Sequence, residues 1–509
     1  AEATLAQGKC LLHDFCLCHH LYAVFLAALM WVSAEWCRKE AMDSIKSKPW
    51  LWLSSGLGAL LLKHILPKLW SQYSLLFKRG LPPADLGTPL YGGTSSVVKH
   101  GLVGYFNALR KRHMPFVAVS HFLFFQPVIV ISHEIWRQKV AKLENEGLTL
   151  PCFSDKVANL LGKNSLIVMP AGKGHPHHAR LRTKCLRALS PKVVMANLDV
   201  FRAMFRKEFE AIAKSTEGAD AFVRFVPIAH RLAFNVSATS IIGDGNEREC
   251  DEMREQFGIY CKGMATPRAW DLGRHSVYGR ARIARAKIAQ LIAELLAKPS
   301  VERTALGELK ISSEDCGGLT EDEIVDSVLT LLFAGQLATM HAMTQLLVDL
   351  ASRPAEVAKV RAEANKTPES IMEDTATLRL VVESMRRQPP AHPMTRICES
   401  QDIHLNNSLK IPKGYRYSPM LQDDFEGDID TTRKDFDNRE FLRDACERPF
   451  GGNHPHSCVG RHSVLLMLQT FARELYGHYE VDVIEAVLQP TAGHPAWRGN
   501  LPLRLRRRT

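Results

Sequence analysis

Cys458 lies in the run Pro449-Phe450-Gly451-Gly452-Asn453-His454-Pro455-His456-Ser457-Cys458-Val459-Gly460, and an apolar helical pattern starts directly after it. A glycine-rich loop of this kind turns backbone N–H groups toward a cysteine sulfur. The positive dipole end of the following helix then favours the thiolate. A thiolate so held can ligate iron and push electron density toward a bound O–O bond. One cysteine in a Gly/His loop is by itself modest evidence, with an inert structural thiol as the default, so other residues must decide.

Three further segments carry candidate chemistry. Glu383 and Arg386, just ahead of Pro389-Pro390, face each other at i,i+3 on a helix and form a local ion pair, a pattern also common on solvated faces. Ala334-Gly335-Gln336-Leu337-Ala338-Thr339 falls in the middle of a long apolar helical pattern. Glycine there costs about 1 kcal/mol against alanine, which calls for a packing or functional reason, such as a flat ligand pressed against the backbone. His178 and Arg182, with Arg396 later in the chain, are cations able to pair with ligand carboxylates, although each taken singly reads as a surface charge.

Together the four segments resemble the cytochrome P450 superfamily over roughly residues 80–509, and they fall in that family's order along the chain. Leu160-Leu161-Gly162-Lys163-Asn164-Ser165-Leu166, the cysteine loop, and Leu81-Pro82-Pro83-Ala84-Asp85-Leu86-Gly87 look most like one branch of it. That branch holds animal retinoic-acid hydroxylases, plant brassinosteroid and terpenoid hydroxylases and cyanobacterial relatives. The resemblance implies a haem b (iron protoporphyrin IX) with Cys458 as metal ligand. It matches Glu383 and Arg386 to the family's ExxR pair, and places His178, Arg182, Arg396 and His456 at the haem propionates. Phe450 and Gly335 would lie against the cofactor, with Thr339 as the catalytic hydroxyl. The implied activity is a monooxygenase hydroxylating an apolar isoprenoid- or sterol-like substrate, supplied with electrons by a flavin reductase or a ferredoxin.

Several residues depart from the family pattern. An acid followed by a threonine is expected on the oxygen-activating helix, and those places hold Leu337 and Ala338. Thr339 follows one position on, about 100° round the helix. A carboxylate and a hydroxyl relay protons, whereas Leu and Ala relay none. The stretch that usually supplies a second arginine to the ExxR pair reads Asn438-Arg439-Glu440-Phe441, with arginine and glutamate transposed, which threatens a like-charge contact between Glu440 and Glu383. Phe450 stands eight residues before Cys458, one further than in the family, and Asn453 and His454 occupy the region of the glycine nearest the cysteine. Three readings therefore stay open. The chain is an active monooxygenase with another proton route, a haem-thiolate isomerase or dehydratase acting on a peroxide, or a pseudoenzyme kept as a structural or haem-bearing subunit of a membrane complex.

The elements that must position these residues are mostly helical. Glu321 to Ala351 is the clearest helix, opened by a Thr320/Glu323 capping box and closed by Pro354. Helical periodicity also covers Phe201 to Lys214, Arg280 to Lys298 and Ala355 to Lys366, and strand-like runs are few: Phe116 to Val119, Val128 to Ser132 and Ile403 to Ile411. The expected fold is mainly α with a small β portion, a P450 fold preceded by an N-terminal membrane anchor. Residues 1–79 form the anchor region, with apolar runs at about 21–34 and 50–62 around Arg38, Lys39, Lys46 and Lys48, and residues 80–509 form the haem domain. Anchoring implies membrane lipid as a partner, and an endoplasmic-reticulum or organelle membrane (mitochondrion or plastid) as the location.

Composition is consistent with one large body. Of 509 residues, 46% are hydrophobic and 23% charged, which is globular and far from disorder. The net charge of +11 is spread along the chain without interleaved aromatics, so nucleic-acid binding is not expected. Twelve cysteines without paired spacing point to a reducing compartment and mostly inert thiols.

Overall fold

The computed structural model describes residues 69–88, 92–93, 96, 105, 108–109, 111–113, 116–119, 127–217, 221–243, 247–264, 271–298, 304–314, 318–390, 395–419, 429–432, 434–452, 454–483 and 501–508. The chain divides into two compact units, Ala1–Trp70 and Ser71–Thr509. The apolar runs at 21–34 and 50–62 lie outside the described residues. Residues 71–79 belong to the second unit, where Leu75 is buried with Leu81 in one core cluster.

In chain order the longer described helices include α1 (Ala141–Asn145), α2 (Asp155–Leu161), α3 (Pro176–Ala188), α4 (Pro191–Met195), α5 (Leu198–Ser215), α6 (Phe225–Ile242) and α7 (Glu247–Met264). They continue as α8 (Val277–Leu296), α9 (Ala305–Glu314), α10 (Glu321–Ala351), α11 (Pro354–Glu363), α12 (Ala376–Arg387), α13 (Arg439–Glu447) and α14 (Arg461–His478). The strands are β1 (Ala84–Asp85), β2 (Phe116–Val119), β3 (Val128–Ile131), β4 (Leu150–Pro151), β5 (Val223–Arg224), β6 (Arg396–Ile397), β7 (Ile403–His404), β8 (Lys410–Ile411), β9 (Arg416–Pro419), β10 (Tyr479–Val483) and β11 (Pro502–Arg507). Six of them form one sheet in the order β1-β2-β3-β9-β6-β4, three form β10-β11-β5, and β7 pairs with β8.

Helix α10 spans the residues its sequence pattern predicts. The Glu323 N–H donates to Thr320 Oγ1 at 3.3 Å and the Thr320 N–H donates to Glu323 Oε2 at 2.8 Å, so two orphan donors of the first turn are satisfied reciprocally. Pro354 cannot continue the helix and instead occupies the first turn of α11. Helix α5 buries Phe201, Phe205, Phe209 and Ile212 on one stripe, and Phe205 and Phe209 meet Phe471 of α14 edge-on at 5.7 Å. Ser276 caps α8 through a 3.0 Å bond from the Gly279 N–H, which moves that helix's start three residues ahead of the expected Arg280. The expected strand from Ile403 to Ile411 is two short strands. The side chain of Asn406 accepts from the N–H groups of Ser408 and Leu409 at 2.9 and 2.8 Å, and this turn folds β8 back on β7.

Two large apolar clusters share α6 and α10. One joins them to α5, α12 and α14, and the other to α3, α7 and α8. Helices α6 and α10 are apolar and long enough to cross a membrane, but each is mostly buried, which makes them core helices of this body. Among the described residues the cysteines are free thiols, and burial pushes Cys185 up to about 11 and Cys261 and Cys446 up to about 12, as expected for inert interior thiols.

Candidate active site

Between the cysteine loop, α10 and the large sheet lies a cavity of about 320 Å³. Of the residues singled out from sequence, Cys458, His178, Arg182, Arg396, His456, Phe450, Gly335, Thr339 and Ala338 line it. Glu383, Arg386 and Leu337 are not among its lining residues.

The loop is built around its cysteine. Gly451 and Gly452 take φ of 90° and 60°, the left-handed region that glycine reaches without a Cβ penalty. The turn they make lets the Cys458 N–H donate to the Phe450 carbonyl at 2.8 Å. Arg182 of α3 donates to the carbonyl and the hydroxyl of Ser457 at 2.6 and 2.7 Å, which ties the loop to a helix 275 residues away in sequence. Burial pushes the Cys458 thiol up, opposed by the Gly460 N–H and by the Arg182 and Arg461 guanidiniums. The site thus supplies the donors and cations that a thiolate needs, and a bound cation would complete its deprotonation.

The extra residue of the loop has a place. His454 is buried, its ring 5.2 Å from that of Trp136, with Nε2 against the carboxylate of Glu144. The His456 N–H donates to His454 Nδ1 at 3.1 Å, so the ring proton sits on Nε2 and faces Glu144. Glu144 also accepts from Tyr417 Oη at 2.6 Å and Trp136 Nε1 at 3.2 Å. Burial raises the Glu144 carboxyl, offset in part by Arg396 and by the Tyr417 and Trp136 donors. Trp136 stands at the start of a π-helical segment, Trp136–Val140, that leads into α1. Nothing in the sequence marked Glu144, Trp136 or Tyr417. Only His454 carried a signal, as a departure from the loop pattern.

The polar edge of the cavity is made by α3, β6 and the loop. His456 Nδ1 lies 3.1 Å from the Leu166 carbonyl, and its ring centroid lies 4.9 Å from that of His178. Burial, followed by nearby cations, pulls His178 down to about 4, His454 to about 3 and His456 to about 2, so all three are neutral near pH 7. That leaves Arg182 and Arg396, the latter 6% exposed on β6, as the charged groups for a ligand's carboxylates. His178 Nε2 is buried without a partner on the cavity wall. A flat ligand bearing two carboxylates and a metal that accepts a thiolate fits this set of donors.

Another wall is the α10 segment. Leu337 is 51% exposed, so the expected acid position faces away from the cavity, while Ala338 lines it and brings no hydroxyl. The Cβ that Gly335 lacks would meet Ser237 Oγ of α6 at 3.0 Å, so close helix packing is the visible reason for glycine there. Arg386 grips Glu383 with two parallel bonds of 2.9 Å inside α12, and the Asp430 N–H donates to the same carboxylate at 3.3 Å. Glu383 is buried, whereas Arg439 and Glu440 sit exposed at the start of α13, so the transposed pair lies on the solvent side.

The cytochrome P450 family model matches residues 82–423 of this chain. A putative cytochrome P450 120 of Synechocystis sp. is 25% identical over 459 residues, covering 84% of this chain and 96% of that protein. Abscisic acid 8'-hydroxylase 1 of Arabidopsis thaliana is 23% identical over 80% of this chain and 87% of its own length. Among solved structures, retinoic acid-bound cyanobacterial CYP120A1 superposes with a TM-score of 0.66 at 22% identity, over 85% of this chain and 100% of that one. The family match stops at 423, short of the cysteine loop, yet the loop closes on the same cavity as the matched elements, and the chain belongs to the cytochrome P450 family.

Proposed function

We propose that the cavity holds haem b with Cys458 as the axial ligand of its iron, and that the protein hydroxylates an apolar, isoprenoid- or sterol-like substrate. The observation that carries this reading is the meeting of Cys458, Arg182, Arg396, the orphaned ring nitrogen of His178 and the small residues Ala334, Gly335 and Ala338 around one cavity. Bound there, the haem would supply oxygen chemistry, with the thiolate raising electron density at the iron. Arg182 and Arg396 would take the propionates, and His178 and His456 would add neutral hydrogen-bonding contacts. The small side chains of α10 leave room for a flat ring system, and the apolar wall leaves a substrate few polar partners. Thr339, one position on from Ala338, brings a hydroxyl-bearing residue to the same lining. The substrate class draws support from relatives whose names include abscisic acid hydroxylation and retinoic acid binding. Membrane lipid contacted by residues 1–79, and a flavin reductase or ferredoxin as electron donor, complete this reading, with an endoplasmic-reticulum or organelle membrane as the setting.

The outward-facing Leu337 and the hydroxyl-free Ala338 favour a second reading, in which the same haem site serves a membrane complex as a subunit without oxygenase turnover. Two measurements decide. The reduced, CO-bound protein should show the absorption band of a thiolate-ligated haem, and a folded protein lacking it sinks the proposal. Purified from its membrane in mild detergent, the protein should turn over with a reductase. Migration at fixed stoichiometry in a large complex, with no turnover, would select the second reading.

A further inference from the structure

Helix α10 carries three buried threonines whose hydroxyls behave differently. Thr344 Oγ1 donates to the carbonyl four residues back, Met340, at 2.8 Å, and Thr330 Oγ1 lies 2.7 Å both from the Asp326 carbonyl four residues back and from Ser165 Oγ, so each has a partner. Bonding the carbonyl four residues back is the usual way a helical threonine satisfies its hydroxyl without leaving its own helix. Thr339 does not. Its carbonyl four residues back is that of Gly335, and Gly335 accepts instead from Ser237 Oγ of α6 at 3.3 Å. Thr339 Oγ1 is buried, in a residue 1% exposed, has no partner, and belongs to the cavity lining. Ser237 is 3% exposed and lines the same cavity.

A buried hydroxyl without a partner is rare in folded proteins and asks for an explanation. Here two features act together. Ser237 occupies the acceptor that would otherwise turn Thr339 back onto its own helix, and the absence of a side chain at Gly335 lets α6 come close enough for this to happen. A Cβ at Gly335 would meet Ser237 Oγ at 3.0 Å and Ser237 Cβ at 3.3 Å. The neighbouring Ala338 cannot supply a hydroxyl to the cavity, and Leu337 faces solvent.

We infer that Ser237 is a positioning residue that holds the Thr339 hydroxyl free, and that Thr339 is the hydrogen-bond donor this segment of α10 presents to a small polar ligand in the cavity. For a diatomic ligand on haem iron the inference rests on the function proposed above. The coupling of Ser237 to Thr339 does not, since it concerns only the two side chains and one carbonyl.

Crystal structures of the wild-type protein and Ser237→Ala test the coupling with or without haem. The expected result is Thr339 Oγ1 out of reach of the Gly335 carbonyl in the wild type. In S237A it turns onto that carbonyl at about the 2.8 Å seen for Thr344. A Thr339 already back-bonded in the wild type, or unmoved in S237A, overturns the positioning role. In the haem-loaded protein, the infrared stretch of CO on the ferrous iron reads the donor directly. Thr339→Val should move it to higher frequency, S237A should move it by the same shift, and the double variant should move it no further. No shift in T339V overturns the donor, and a shift in T339V but not in S237A overturns the positioning. If no haem can be loaded, the proposed function fails while the two crystal structures still decide the coupling.

Discussion

The cavity has two walls of contrasting construction. The cysteine loop is cross-tied to three distant parts of the chain: to α3 through Arg182 and Ser457, to the Leu166 carbonyl through His456, and to Glu144 of α1 through His454. Among the described residues of this loop, His454 packs against Trp136 and sets its ring against the Glu144 carboxylate. The Ala334–Thr339 segment of α10 is the reverse. Its one hydroxyl, on the cavity-lining Thr339, is buried and unpaired, its acid position points to solvent and its threonine position is an alanine. The loop wall has been lengthened and re-tied, so it still presents cysteine and cations. The helix wall holds neither a carboxylate nor a hydroxyl at the two positions where the family resemblance implies a relay. Within the function proposed above, holding a haem and activating oxygen on it are therefore separable properties, the first assigned to the loop wall and the second to the helix wall.

The sharpest way to break the contrast is to remove the sulfur. Cys458→Ala should abolish the thiolate-type band of the reduced CO complex altogether, whatever residual haem stays in the cavity. If that band persists in C458A, the loop wall is not the ligand wall. Arg182→Ala comes next. It deletes two hydrogen bonds from a charged donor to Ser457, and such bonds contribute about 1.5–3 kcal/mol each. Looser haem retention is the expected result, seen as faster transfer to a haem acceptor, together with a lower unfolding midpoint in urea. Unchanged values in both would mean that the loop holds its shape without α3.

Much of this was readable beforehand, and the boundary follows the range of the forces involved. Helix α10 came out at its expected residues because its cap, its apolar run and its terminating proline are all local. The Cys458 loop and the Glu383–Arg386 pair are legible as local motifs, whereas Arg182 and Arg396 read singly as surface charges and gain a role only through the family resemblance. What stayed hidden was non-local. Glu144 looks like any helical glutamate in Lys142-Leu143-Glu144-Asn145-Glu146, and only the tertiary structure sets it against His454, Tyr417 and Trp136. Ser237 is one of several hydroxyl residues along an apolar helix, and its role depends on a carbonyl 98 positions away. The strand expected from Ile403 to Ile411 failed because a turn held by the Asn406 side chain outweighed an extended pattern.

The re-tied loop should also give the protein a characteristic acid response. His178, His454 and His456 have folded values of about 4, 3 and 2, far below the ordinary histidine value, because burial disfavours their charged forms. Between pH 6.5 and about 4 the unfolded chain therefore binds more protons than the folded one, and stability falls as the pH drops through that window. Glu144 has the opposite sign. Its raised value means the folded state holds a proton that the unfolded state releases, a contribution present at low pH and lost as the pH rises. Among the described residues six lowered histidines, with His230, His341 and His462 included, outnumber three raised carboxyls, with Asp326 and Asp349 included, so the urea midpoint should be lower at pH 5 than at pH 7.5. His456→Asn should flatten that dependence and Glu144→Gln should steepen it. Equal slopes in both variants would show that these groups are solvated and that the loop wall is looser than its bonding implies.

The smallest effects are expected on the helix wall, and they separate its two lost positions. Leu337→Asp places a carboxylate on a residue that is 51% exposed, where water solvates it, so stability should change by no more than about 0.5 kcal/mol. Its influence on product formed per oxygen consumed should be nil, because the charge never reaches the cavity. Ala338→Thr adds a hydroxyl and a methyl to a residue on the cavity lining, with the Ala334 carbonyl four residues back as the competing acceptor. A modest rise in coupling is expected from A338T, and the double variant should match A338T alone. If L337D by itself improved coupling, that side chain would have to turn inward in the working protein. The relay would then have been lost through two side chains alone, with the orientation of the helix face playing no part.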